Sequence, residues 1–436
     1  MRSRMFVLLI TLLFVLVGIP TLTAADKPKI TLTFWDMVWG PPEYPETGKK
    51  LASSYSKVDP NVTVAYQPTQ WTQYVETFTT AVASRTAPDC STGADGQAFR
   101  FYTSGDILVL DSIIDQWKKE GKMSDFIPVS VEVGRYDNHQ IAVPYNTHVM
   151  CLWYNKDIFK SAGIATLPKT WEEFIAAGKK VKSLGKDFFA WPAAIVHGSY
   201  TFLGFVRSAG SGIVDKDENV IIGDEGNRKT LEFFKKLYDE GLFPKDIWGY
   251  DIPDVRQSFS QGRTAVIFDQ LDDSIKSLGV DHVALLPPMK GPKYAFVMRW
   301  APHFLMAYKQ TKYPDETKKF IKWWVENNLT MYTEGHHTDV LPIWKSWQKN
   351  PYFMNDPFDK FAMDVLMPSN VPPMYPRTSN FPEMNGWEDE NIYAFGVKDY
   401  CSGKPIDDVL REMKEKMIKI MSARKGEAWA QKQLAR

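Results

Sequence analysis

The 436-residue chain predicts a two-lobed α/β protein, and three observations carry that expectation. Single hydrophobic cores stop growing near ~250–300 residues, so this length asks for two of them. The first hundred residues alternate strand, helix, strand, helix, strand, the pattern of a parallel sheet layered with helices. Between Ile141 and Gly163 the chain is apolar on either side of a polar break, Asn146-Thr147-His148, which is followed by the β-branched and aromatic run Val149–Tyr154. A strand, an interruption and a second strand are expected where a chain leaves one lobe and enters another.

Ile30–Phe34 alternates and reads as the first strand, ending in a loop with two large aromatics, Trp35 and Trp39. Thr47–Lys57 is helical in pattern. Val62–Tyr66 is a second strand, with Gln70 and Trp71 beyond its end. Tyr74–Ser84 is a second helix. Pro88-Asp89 leads into Cys90–Gln97, which places Asp95 and Gln97 after a third strand. Open parallel sheets bind ligands outside the carboxyl ends of their strands, so Trp39, Gln70, Trp71, Asp95 and Gln97 all fall where a ligand is expected. Past the break, Asn155–Gly163 reads as a short helix closed by glycine. Thr170 caps the next helix, with Glu173 three residues on completing a capping box. Phe188–Pro192 is an apolar run with Trp191 at its end. Buried or amphipathic helices follow over 198–210, 224–241 and 255–262. Arg263–Phe268 is a strand that ends at Asp269-Gln270, and Val283–Leu286 is another. The helix after Tyr313 turns Phe320, Trp323 and Trp324 inward, and Pro405–Met421 repeats apolar residues at helical spacing.

The pieces Val-Pro-Tyr-Asn at 143–146 and Trp-Tyr-Asn-Lys-Asp at 153–157 resemble the first interlobe crossing of extracellular solute-binding proteins of ABC importers. The likeness is to the carbohydrate-binding, maltose-binding-protein clan. Phe259–Val266 resembles that family's helix, glycine, basic residue and strand passage. Tyr294–Ala307 and His336–Pro342 resemble its second and third crossings. The resemblance covers roughly Ile30–Met421. It implies the two-lobed periplasmic-binding-protein fold (type II) with discontinuous domains and a three-segment hinge. Residues 26–147 and 300–337 would form the N-terminal lobe, and 148–299 and 338–436 the C-terminal lobe. It implies a substrate-binding component that captures a saccharide, a di- or oligosaccharide, in the cleft and hands it to the transmembrane permease subunits, as a monomer and without a cofactor.

Residues 1–25 have the form of a secretory signal: Arg2 and Arg4, an apolar core over Phe6–Val17, and small residues at Thr23–Ala25. An exported, periplasmic protein is expected, and no cysteine follows the apolar run to take a lipid. A formal net charge of zero argues against a nucleic-acid partner, which would ask for a basic face. Cys90, Cys151 and Cys401 form no CxxC pair, so they support no metal framework and leave one disulfide open.

Sugars offer apolar faces and a rim of hydroxyls, so their sites need flat aromatics with carboxylates, amides or guanidinium groups around them. Trp39, Trp71, Trp191, Trp300 and Trp387 lie in loops, beside strand ends or at the hinge; each either faces ligand or packs in a core. Asp95 and Asp269 are the preferred hydroxyl acceptors, against capping or solvated roles. Gln70, Gln97 and Asn146 supply amides. Arg299 forks hydroxyls or pairs with a carboxylate across the hinge, where the family often has glycine. Tyr375 and Arg377 stand in a proline-rich loop placed to cover the cleft. No GxSxG, HExxH, Walker or GxGxxG pattern is present. His336-His337 with Asp339 lacks a third ligand at metal spacing, since adjacent histidines diverge. A secreted glycoside hydrolase with two opposed carboxylates, or a same-fold binder of a non-sugar solute such as a polyamine, are the alternatives.

Overall fold

The computed structural model describes residues 28–94, 96–295, 299–337, 339–369, 375–377 and 379–436, with only the backbone of Pro128, Arg299, Trp300, Ser369 and Asn385. The expected signal segment lies outside the described residues. The strands are β1 (Ile30–Met37), β2 (Val62–Thr69), β3 (Cys90–Gly93), β4 (Arg135–Tyr136), β5 (His139–Gln140), β6 (Val143–Asn155), β7 (Asp187–Ala190), β8 (Thr264–Gln270), β9 (Val283–Leu285), β10 (Arg299–Ala307) and β11 (Val340–Leu341). The main sheet runs β2-β1-β3-β10-β6-β8-β7, with β9 and β11 also on β6. β1 pairs in parallel with β2 and β3, and β7 with β8, as strands linked by helical crossovers must.

The polar break at Asn146–His148 does not interrupt the strand. β6 is continuous for 13 residues, and the three polar residues are buried within it. Two neighbours make this tolerable. β10 pairs along Val143–Met150 on one side, and β11 sets Val340 opposite His148 and Leu341 opposite Thr147. The side chains are answered only in part, since Asn146 Oδ1 and Thr147 Oγ1 are buried without a hydrogen-bond partner among the described residues. Asn146 Nδ2 donates to His337 Nε2 at 3.1 Å; burial pushes the His337 imidazole down to about 3, so it is a neutral acceptor. Backbone N–H and C=O groups paired with a neighbouring strand cost little to bury, so the β10 and β11 pairing carries the strand through this stretch.

Buried side chains separate along β6. Val143 and Tyr145 join a cluster with Leu32, Phe34, Trp117, Phe320 and Trp324. Val149–Trp153 join another with Phe189, Trp191, Phe234, Phe268 and Trp387. Residues 145–149 therefore pass from one lobe's core to the other's. On the return, past residue 337, buried side chains alternate between the two cores. Val340 and Leu341 pack with the second core, but Ile343 and Trp344 go back to the first. The Trp344 indole rests 4.0 Å from Phe126 and donates to Val325 O at 2.9 Å. The chain rejoins the second core at Phe353.

Local signals hold where they are chemical. Thr170 accepts from Glu173 N at 3.2 Å, while the Glu173 carboxylate reaches one residue further back than a closed box, to Lys169 N. Cys90, Cys151 and Cys401 are buried free thiols, so no disulfide joins them. Among the described residues no helix is long and apolar enough to cross a membrane.

Candidate ligand-binding site between the lobes

β1 and β2 end side by side, and the loops beyond them build one wall of a cleft. Val38 N donates to Thr69 O at 3.0 Å, and the Trp71 indole donates to Val38 O at 2.9 Å. These bonds bring Trp39 and Trp71 together edge to face, with centroids 4.5 Å apart. Trp39 also stacks on His303 of β10 at 4.0 Å, and Tyr74 stands 5.2 Å from Trp71. A stacked and T-shaped set is rigid without hydrogen bonds across its faces.

The opposite wall comes from the second lobe. The helix Val196–Ser208 supplies Val196, His197 and Tyr200, and Tyr200 OH donates to Glu388 Oε1 at 2.6 Å. The floor is made by the crossing strands. His148 Nε2 lies 2.9 Å from Gln270 Oε1, and Gln270 Nε2 donates to Asp339 Oδ2. His148 and His303 stack at 5.4 Å. Together these residues, with Ile252 and Val340, line a cavity of about 580 Å³. Pockets for small ligands run to roughly 300–1,000 Å³ and mix apolar walls with a few placed polar groups.

Among the residues expected from sequence, Trp39 and Trp71 line this cavity. Gln70 is exposed beside them and does not. Gln97 is buried against Gly93, whose added Cβ would lie 2.3 Å from Gln97 Oε1. Asn146 is buried within β6, where its Nδ2 donates to His337, and does not line the cavity. Trp191 is fully buried, 5.5 Å from Phe234 and 5.9 Å from Trp248. Trp387 is also fully buried and does not line the cavity; its ring lies 6.1 Å from that of Tyr200, which does. Asp269 is 3% exposed and is held in a fork by Arg256, at 2.7 and 3.1 Å. That charge-assisted pair satisfies the carboxylate internally, so it has no free edge for a hydroxyl. Tyr375 OH meets Tyr294 OH at 3.0 Å, and Arg377 pairs with Glu218 at 3.5 Å; neither lines the cavity. Asp95 and the side chains of Arg299 and Trp300 lie outside the described residues; β10 pairs Arg299 with Met150 and Trp300 with Val149.

Tyr74, His148, His197, Tyr200, Gln270, His303, Asp339 and Glu388 line the cavity without having been picked out as candidates. Gln270 had a signal, its place at a strand end. Tyr200 and Glu388 had none, being 188 residues apart in sequence. Among the described residues no three His, Cys, Asp or Glu side chains are grouped to hold a metal.

Comparison with known proteins accords with this architecture. A model of the bacterial extracellular solute-binding protein family matches residues 41–327. A binding protein of Brucella abortus (strain 2308), named no further, is 23% identical over 375 residues, 84% of this chain and 85% of that one. The maltotriose-binding protein of Pyrococcus abyssi is 24% identical over 71% of this chain and 66% of its own length. In structure, a sugar transporter from Arthrobacter chlorophenolicus A6 with bound laminaribiose superposes with a TM-score of 0.76 at 24% identity, covering 89% of this chain and 98% of that one. The sugar-binding protein MalE of Xanthomonas citri gives 0.75 at 19% identity, over 93% and 100%. Matched over most of its length by the family model and by relatives of two-lobed form, the chain belongs to the bacterial extracellular solute-binding proteins.

Proposed function

We propose that the protein captures a saccharide, a di- or oligosaccharide, in the cavity between its lobes and delivers it to the permease of an ABC importer, acting as an exported periplasmic monomer. The observation that carries this reading is the pairing of an indole wall, Trp39 and Trp71, with a hydrogen-bonding wall and floor across about 580 Å³. A flat apolar face meets the first and a rim of hydroxyls the second, which is what a pyranose ring presents. Relatives named for maltotriose and diacetylchitobiose, and a fold relative with bound laminaribiose, support the same ligand class. Trp39 and Trp71 are proposed to stack on the sugar, with Tyr200, Glu388, Gln270 and Asp339 around its rim. Ligand touching both lobes favours the closed arrangement, and hinge bending at the crossings gives the permease a shape to read. No bond in the ligand is broken. Titration calorimetry of the mature chain with laminaribiose, maltose, maltotriose and diacetylchitobiose tests this: one of them should bind with unit stoichiometry and be recovered intact. Reducing ends accumulating with time would instead make the protein a hydrolase.

A further inference from the structure

Outside the cavity the two lobes also touch through polar groups. Arg424 stands near the end of the helix Ile406–Lys425, whose Met413, Met417 and Met421 belong to the second lobe's core. Two carboxylates of its own lobe hold the guanidinium: Glu383 at 2.6 and 3.0 Å, and Glu218 at 2.9 Å. The remaining nitrogen, Nη1, donates to Tyr136 OH of the first lobe at 2.9 Å. Tyr136 lies on β4, packed against a buried group that includes Met37 of β1, Phe99 and Met306. Phe99 and Tyr102 meet its ring edge to face, at 6.1 and 5.9 Å. Both belong to the helix Gln97–Thr103, which also carries Arg100, and Arg100 pairs with Asp389 of the second lobe at 3.4 Å. Asn380 N adds a bond to Val133 O at 3.3 Å. On each side the residues are neighbours: Val133, Tyr136 and the helix of Arg100 in one lobe, and Asn380, Glu383 and Asp389 along one segment of the other.

These faces adjoin the cavity without lining it. Ala94, three residues before the helix of Arg100, and Glu388, next to Asp389, are cavity residues; Arg100, Tyr136, Asp389 and Arg424 are not. We propose that Tyr136 and Arg424 are positioning residues: with the Arg100–Asp389 pair they clasp the lobes in the arrangement that encloses a solute, and so set affinity without touching it. This rests on the reading of the cavity as the saccharide site. Arg424 is already fixed by carboxylates of its own lobe and Tyr136 by rings of its own, so little further side-chain freedom is lost when the lobes meet. A hydrogen bond from a charged donor also contributes more than one between neutral groups. The Arg100–Asp389 pair, with side chains 27% and 66% exposed, contributes less. Apparent affinity is intrinsic affinity scaled by the fraction of molecules in the competent arrangement. Loosening the clasp therefore weakens binding while the cavity itself is unchanged.

Tyr136→Phe removes only the hydroxyl and keeps the ring against Phe99 and Tyr102. Calorimetry uses whichever of laminaribiose, maltose and maltotriose the wild-type chain binds, with melting temperature followed in each variant. We expect Y136F to bind about three- to tenfold more weakly, with its melting temperature little changed. Arg100→Asp and Asp389→Arg should each weaken binding by about two- to fourfold, and the double reversal R100D/D389R should bring it back near wild type. Recovery of affinity by the swapped pair is what a clasp predicts and a local packing defect does not. Y136F binding as tightly as wild type, or more tightly, overturns the proposal. No recovery in the double reversal removes the ion pair from the clasp. If Y136F does not fold, the Arg100–Asp389 cycle decides, and unchanged affinity in its single variants overturns the proposal. Wild-type protein that binds none of the three sugars removes the saccharide reading. Small-angle scattering then tests the clasp separately: a larger radius of gyration in Y136F than in wild type supports it, and equal values overturn it.

Discussion

Trp39 and Trp191 begin from the same position in a sequence: each follows the carboxyl end of a strand in a parallel pair, β1 with β2 and β7 with β8. Their fates are opposite. Trp39 opens onto the cavity, held by ring contacts with Trp71 and His303. Trp191 is fully buried among Phe234, Phe243 and Trp248. The difference lies in what covers the strand end. Over β7 the helix Val196–Ser208 comes down so closely that a Cβ on Gly198 would meet Trp191 Cζ3 at 3.0 Å. Over β1 the space is shared with the other lobe and stays open. A strand-end aromatic is therefore a site residue only where the next helix leaves it uncovered.

The largest expected effect breaks the comparison if it fails. Trp191→Ala should lower stability by about 3–5 kcal/mol, as for other large core aromatics, read by urea unfolding. A variant that loses ligand affinity while keeping wild-type stability would put Trp191 in the site after all.

Asp36 asks how dry the first lobe is near its open strand end. It is fully buried on β1 and accepts from Thr92 at 2.7 Å and Tyr66 at 3.0 Å. Burial pushes its carboxyl up to about 7. Below about pH 4 both folded and unfolded chains hold this proton. Between there and pH 7 only the folded chain keeps it, so its contribution to stability falls as pH rises, by up to roughly 4 kcal/mol. Urea unfolding of wild type and Asp36→Asn from pH 4.5 to 8 should show a flatter profile in the variant. Parallel profiles would mean that water reaches Asp36.

Trp39→Ala should cost about 1–3 kcal/mol of ligand binding by calorimetry, as for aromatic stacking on flat ligands. Trp71 is 37% exposed and forms the outer edge of the same wall, so Trp71→Ala should cost less, about 0.5–1.5 kcal/mol, and barely move the melting temperature. Equal losses at both positions would make the wall a uniform platform and not one anchored at Trp39.

Much of the fold was legible because its signals are local. Ile30–Phe34 and Val62–Tyr66 alternate and flank a helix; Thr170 and Glu173 mark a helix start; the long helix at the C-terminal end shows its period plainly. Asn146–His148 misled for the same reason. Three polar residues in a row look like a break when read locally, and only β10 and β11 on either side make them a strand. Asp269 misled in a related way. Its place at a strand end was right, but Arg256, thirteen residues earlier, takes both its oxygens.

The amino-acid sequence by itself determined that there are two lobes, which segments form their sheets, and that indoles wait at the ends of β1 and β2, because strand period, helix period and chain length are properties of neighbours along the chain. Tertiary structure alone decided which indoles stay open, which carboxylates are already paired, and that His148, Gln270 and Asp339 meet on one floor. Those outcomes depend on side chains brought together from separate segments, from Arg256 and Asp269, 13 residues apart, to Tyr200 and Glu388, 188 apart, and no local pattern records which of them meet.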